Sequence, residues 1–154
     1  MKEKTEQTVS APREACGMAQ AVERVGDRWT LLILREALFG VNRFDQIQAS
    51  LKCPRTILSE RLKRLCKEEI LATRPYKVEG QRTRKQYVLT GKGVELALPM
   101  IALMQWGDKY CLENAPATEL VERQTGAECK VGLVSAANRP VGLGETQLRG
   151  RATN

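Results

Sequence analysis

The chain has 154 residues, 42% of them apolar and 28% charged, enough for one domain with a real core and a small appendage. It has no histidine and an odd five cysteines without CxxC spacing, which speaks against metalloenzymes, Ser/His or Cys/His hydrolases, zinc knuckles and disulfide scaffolds. Of the net charge of +7, Lys52 to Lys92 carries twelve basic residues against four acidic, whereas the remainder of the chain is nearly balanced. A surplus gathered in one segment is the electrostatic footprint of a polyanion partner.

Residues 1–14 are polar and read as a flexible N-terminus without the apolar core of a signal peptide. No run is long and apolar enough to cross a bilayer, so a cytoplasmic chain without a membrane partner is expected. From Cys16 the pattern is helical, with Met18, Ala21, Val22 and Val25 in one stripe that stops at Gly26. Asp27 suits the N-cap of the next helix, WTLLILREALF, which closes at Gly40. That helix is apolar nearly all round (Trp29, Leu31, Leu32, Ile33, Leu34, Ala37, Leu38), which predicts the central buried helix of the domain, with Trp29 a packing residue. A short helix follows with Phe44, Ile47 and Leu51 inward, and Ser50 to Cys53 makes a tight connection into PRTILSERLKRLCKEEI.

This stretch, a helix over 54–69, organises the chain. Leu58, Leu62, Leu65 and Cys66 recur at the spacing of one buried face, Thr56, Ser59, Lys63 and Lys67 fall opposite, and Arg55 lies in the first turn. Pro54 suits the first helical position, where its missing N–H is no loss. An apolar back with a polar, cationic front fits a helix docked in a DNA major groove, and also an ordinary amphipathic surface helix. Its surroundings favour the first reading. Two helices joined by a tight turn form a helix-turn-helix, and LATRPYKV and RKQYVLT, separated by the polar tip EGQRT, read as a β-hairpin carrying Lys77, Arg82, Arg84 and Lys85. The hairpin over 76–86 is then a wing on the DNA backbone or in the minor groove.

Thr90 caps the next helix, GKGVELALPMIALMQWGDKYCL, in which Pro99 should cause a kink or break near Glu95 to Leu98. Val94, Leu98 and Ile101 form one apolar face, and Leu96, Met100, Leu103, Trp106 and Tyr110 a second. A monomeric surface helix needs only one, so the second face is expected to be a dimer interface. ENAPATELVERQTG reads as a linker, and AECKVGLVSAANRPVGLGETQLR as a small β-ribbon around an Ala-Asn-Arg-Pro turn. The expected architecture is α+β, mainly α. It comprises a flexible N-terminus over 1–14, a winged helix-turn-helix and dimerisation domain over 15–114, and a linker with a C-terminal β extension over 115–154.

These stretches resemble the HxlR-type winged helix-turn-helix transcriptional regulators, relatives of the MarR group. The resemblance is carried by Cys16 with its helix, VGDRWTLLILREALFGVNRFDQIQASL, RTILSERLKRL, EEILATRPY, YVLTGKG and LPMIALMQWGDKY, in order over residues 16 to about 110. The tail Glu128 to Arg149 looks like the C-terminal extension of a subset of that family. The resemblance implies a homodimer built by the first and last helices that binds double-stranded DNA sequence-specifically and regulates transcription. Arg55, Thr56 and Ser59 match groove-facing positions, and Arg61 matches a family position that points sideways, as a phosphate or structural contact. Two departures stand out: Cys53-Pro54 opens the helix where relatives carry an apolar then a small or polar residue, and the tip EGQRTRK is longer and more basic than the usual Pro-rich one.

Cys16 matches a position where some members sense oxidants or electrophiles, making it a candidate redox sensor, although a free cysteine is also a common packing residue. Cys53 and Cys66 read as packing residues, Cys53 the more exposed, and Cys111 and Cys129 carry no assignment. No catalytic constellation, cofactor or metal site is expected, and a small-molecule effector is a candidate partner. The competing readings are a non-specific architectural DNA binder, which would show a steep salt dependence with little sequence preference, and a winged helix used for protein contact.

Overall fold

The computed structural model of the chain describes residues 12–80 and 82–149. Of the expected flexible stretch, residues 1–11 lie outside the described residues, and Arg13–Ala15 forms one 3-10 turn. Helix α1 (Gly17–Val25) precedes α2 (Arg28–Leu38), which starts as its sequence dictates: the Asp27 carboxylate accepts from the Thr30 amide at 3.1 Å. It ends in a left-handed closure at Gly40, φ +81°, where the Gly40 and Val41 amides donate to the carbonyls of Ala37 and Glu36.

Helix α3 (Phe44–Leu51) and helix α4 (Arg55–Lys67) are joined across Lys52, itself left-handed at φ +50°, and complete the helix-turn-helix. Pro54 stands one position earlier than expected. It is extended and acts as the N-cap residue, its carbonyl accepting from the Leu58 amide at 2.9 Å. The helix also closes earlier than residue 69, because Glu69 turns left-handed (φ +58°) and the Ile70 amide donates back to Leu65 at 3.0 Å. Ile70 and Leu65 are both buried there, the apolar contact that accompanies such a closure. The core is the meeting of Ile33 and Leu34 from α2, Ile47 from α3, Leu58, Leu62 and Leu65 from α4, and Cys53, Ile70 and Leu71 beside them. Each fully buried leucine or isoleucine contributes about 1.5–3 kcal/mol, so the apolar back of α4 is what fixes its pose.

Helix α2 differs from the expectation of burial all round. Its buried residues are Thr30, Ile33, Leu34 and Glu36, while Trp29 and Ala37 pack half-buried against the core. The buried charge of Glu36 is satisfied by Ser50 Oγ at 2.7 Å and by the Arg35 guanidinium, tying α2 to the end of α3.

Strands β1 (Leu71–Tyr76) and β2 (Arg84–Leu89) pair antiparallel from Leu71 opposite Leu89 to Tyr76 opposite Arg84, giving the expected wing. β2 also pairs on its other edge with the segment before α3: the Tyr87 amide donates to Asn42 at 2.7 Å and Arg43 bridges to Gln86. The wing is thereby stitched directly onto the helix-turn-helix.

Thr90 caps α5 (Gly91–Glu95), its hydroxyl accepting from the Gly93 amide and donating to the Glu69 carbonyl. The expected break falls at Leu96, and α6 (Ala97–Tyr110) places Pro99 in its first turn, where a missing N–H breaks no helical bond. The presumed linker is partly structured. Val121 bridges to Glu128 around a turn with Gly126 at φ +71°, and the Cys129 amide donates to Leu120. One side chain of α6 holds this segment: Gln105 donates to the Cys129 carbonyl and accepts from the Val131 amide, at 2.8 and 2.9 Å. Beyond it, β3 (Leu133–Val134) and β4 (Pro140–Val141) form the small ribbon expected from the sequence.

Candidate nucleic-acid interface

With Leu58, Leu62 and Leu65 turned into the core, the opposite face of α4 is left to solvent: Thr56 and Lys63 are exposed and Ser59 is half-buried between them. Arg55 is exposed, yet its guanidinium lies 4.8 Å over the Phe44 ring, with Gln48 of α3 at 3.5 Å. The first turn of α4 and the outer face of α3 thus form one continuous polar and cationic surface.

Charged ties fix α4 in its socket. Arg61 Nε donates to the Asp27 carboxylate at 2.9 Å, so the acid that caps α2 also holds the middle of α4. Burial alone would raise the Asp27 carboxyl, but the bonds from Thr30 and Arg61 outweigh it and hold it below the ordinary range; the same bond to Asp27 raises Arg61. The sideways position of Arg61 is therefore occupied by a structural contact. Arg64 donates to the Glu23 carbonyl of α1, and Arg24 pairs with Glu68 at 3.5 Å, so α1 is also clamped to α4.

On the wing, Lys77, Arg82 and Lys85 are exposed. Arg84 is different. Its guanidinium is paired at 2.9 Å with Asp45 in the first turn of α3, and it is not a freely projecting cation. Arg43, absent from the sequence-based candidates, stacks 4.3 Å over Tyr76 at the base of the wing. It stands immediately before α3 with no periodic partner, so only the wing pairing brings it to this surface.

The other expected site residues lie away from this face. Cys16 is half-buried at the N-cap of α1. The order of the two central cysteines is the reverse of expectation. Cys53 is buried at 2% exposure, because it sits beneath the turn into α4, while Cys66 is half-buried. Burial pushes both thiols up, opposed at Cys66 by the Lys85 ammonium.

The expected second face of the last helix is divided by the structure. Leu96 and Met100 pack half-buried against the core, so they are not free interface residues. Leu103, Trp106 and Tyr110 are exposed together with Val94 and Leu98. Leu96 and Met100 stand at the start of α6, where it meets the core, and the exposed positions 103, 106 and 110 follow further along the same helix. The α1 stripe is also uncovered, with Met18 and Val22 at 74% and 52% exposure. Between α2 and α6 an apolar groove of about 390 Å3 is lined by Leu31, Leu32, Phe39, Met100, Ile101 and Met104 and bounded by Thr118 to Leu120 of the tail. Among the described residues no cluster of potential ligands could hold a metal ion, and no helix is long and apolar enough to cross a membrane.

Comparison with known proteins agrees with this architecture. The profile of the HxlR-like helix-turn-helix family matches residues 24–115. Rv3095 of Mycobacterium tuberculosis, an uncharacterised HTH-type transcriptional regulator, is 45% identical over 97 residues, which span 63% of this chain but only 60% of that relative. The HTH-type transcriptional regulator YodB of Bacillus subtilis is 32% identical over 100 residues, covering 61% of this chain and 83% of its own length. Among solved structures, the transcription-factor candidate PA1607 superposes with a TM-score of 0.75 at 28% identity over 88% of this chain and 94% of that one. Its reach includes more than the helix-turn-helix, since the matched profile stops at residue 115. The chain belongs to the HxlR-like helix-turn-helix family, and the relatives it matches are named as transcriptional regulators rather than enzymes.

Proposed function

We propose that this chain is a cytoplasmic, homodimeric, sequence-specific DNA-binding regulator of transcription. Helix α4 enters the major groove with Arg55, Thr56, Ser59 and Lys63, and the wing lays Lys77, Arg82 and Lys85 on the backbone or in the minor groove. The observation that carries this reading is the division of α4: an apolar back sealed into the core, and a polar, cationic front left open beside a basic hairpin. The exposed apolar faces of α1 and α6 support a dimer, since uncovered Met, Trp, Tyr and Leu side chains on two helices mark an interface. A two-fold dimer would present two α4 helices to half-sites about 34–36 Å apart.

Two forms of control belong to the same reading. A thiol switch at Cys16 is supported by the clamping of its helix to α4 through Arg64 and the Arg24–Glu68 pair; YodB, a relative, has been solved in a reduced form. The largely apolar groove between α2 and α6 is of a size that takes a small-molecule effector.

The test is a gel shift with the chain's own upstream DNA in the presence of non-specific competitor, with and without a quinone. A specific shift is expected, and its loss to the quinone only when Cys16 is present establishes the switch. Arg55→Ala is expected to cost about 1–3 kcal/mol on the specific site and to relax selectivity there. Retention of full selectivity in that variant would show that α4 is not the reading helix. Binding without sequence preference would make the chain an architectural DNA binder, and no binding would leave the protein-contact reading.

A further inference from the structure

An open cleft of about 360 Å3 lies between α3, the first turn of α4 and the base of the wing. Phe44, Tyr76 and Tyr87 form its aromatic walls, and Arg55, Arg84 and Lys85 bring three cations to it against the single carboxylate of Asp45. Arg55 is stacked on Phe44 at 4.8 Å, and Arg43, just outside, is stacked on Tyr76 at 4.3 Å. A guanidinium held flat on a ring is pre-oriented and keeps its edge N–H donors for an oxyanion in its own plane. Among the described residues that line the cleft the one anion is Asp45, whose Oδ2 lies 2.9 Å from Arg84 Nη1, with the two side chains 61% and 53% exposed.

We infer that this cleft is a subsite for one backbone phosphate of bound duplex DNA, taken by Arg84 and Lys85 at its wing side while Arg55 at its rim reaches on to the bases, and that Asp45 is an internal competitor which holds Arg84 until that phosphate arrives. The inference rests on the DNA-binding reading and adds to it Arg43 and Asp45, neither of which the recognition-helix pattern indicates. The charge balance favours the exchange. Three cations face one carboxylate, so the cleft keeps a positive surplus with Asp45 in place, and so exposed an ion pair holds its partners only weakly. Arg84 is joined to α3 across the wing junction, so its release also couples phosphate binding to the position of the wing.

Fluorescence anisotropy with a labelled duplex of mixed sequence, read across salt from about 50 to about 200 mM, tests this with the full chain. Asp45→Asn is expected to bind more tightly at each salt concentration with little change in the slope of log affinity against log salt, because Arg84 meets the phosphate in both proteins and only the cost of breaking its ion pair is removed. Arg84→Gln is expected to lose more affinity in the Asp45→Asn background than in the unaltered chain. Asp45→Ser, a second neutral replacement, should behave as Asp45→Asn does. If removal of the Asp45 charge weakens binding or leaves it unchanged, the pair is only a strut between α3 and the wing. If Arg84→Gln has the same effect in both backgrounds, the gain is a general loss of negative charge and the internal-competitor assignment fails. Failure of the unaltered chain to bind duplex at any salt overturns the DNA reading and this subsite with it.

Discussion

Asp27 is where a small perturbation should travel furthest, because one carboxylate both caps α2 and anchors α4. In Asp27→Ala the cap to the Thr30 amide is lost, at about 1 kcal/mol. The charge-assisted bond to Arg61 goes with it. Hydrogen bonds to charged groups contribute about 1.5–3 kcal/mol, but Asp27 and Arg61 keep 32% and 21% exposure, and screening reduces this one to about 1 kcal/mol. The total of about 2 kcal/mol, with a urea m-value of about 1.5 kcal/mol/M, lowers the unfolding midpoint by about 1.3 M. Asp27→Asn keeps a capping oxygen and loses only the charge, so about half that shift is expected. Urea titration followed by far-ultraviolet circular dichroism measures both. The pH dependence has a defined sign. A carboxyl held below its ordinary value of about 3.9 contributes fully above that value and loses the contribution as pH falls through the lower folded value. The gap between the native chain and Asp27→Asn should therefore stay constant from neutral pH to about pH 5 and close only in stronger acid. Equal costs for Asp27→Ala with Arg61 intact or replaced by Met would refute the coupling of cap and helix.

Other consequences follow from contacts elsewhere. Gly93 is buried where a Cβ would sit 2.2 Å from the Ile70 carbonyl, so Gly93→Ala should cost about 1–3 kcal/mol in a thermal melt. Gly91→Ala, with nothing within 4 Å of its Cβ position, should be neutral or slightly stabilising, and equal effects at the two sites would contradict the packing of α5 on the end of α4. Gln105→Ala removes both hydrogen bonds that hold Cys129 and Val131, and trypsin should then cut at Arg123 or Lys130 faster while the helical domain resists as before. Lys85→Ala should weaken all duplex sequences alike and reduce the salt slope by about one; a loss confined to one sequence would place Lys85 on a base edge.

What the sequence by itself determined is local. Leu58, Leu62 and Leu65 recur at the period of a helix, so the buried and open faces of α4 are legible without any knowledge of their neighbours. Asp27, Gly40 and Thr90 act within three residues of themselves, and their caps fall where residue chemistry puts them. The wing and the cationic segment follow from alternation and from counting charges. What only the tertiary structure decided depends on residues far apart in the chain. No periodicity pairs Asp45 with Arg84, stacks Arg43 on Tyr76 or buries Glu36 against Ser50. Leu96 and Met100 looked equivalent to Trp106 and Tyr110, and only the angle of α6 against the core separates those that face inward from those left uncovered. Cys53 and Cys66 exchanged their expected exposures for the same reason. A side chain's own chemistry sets what it can bond, but its burial is set by the elements packed over it, and those come from elsewhere in the sequence.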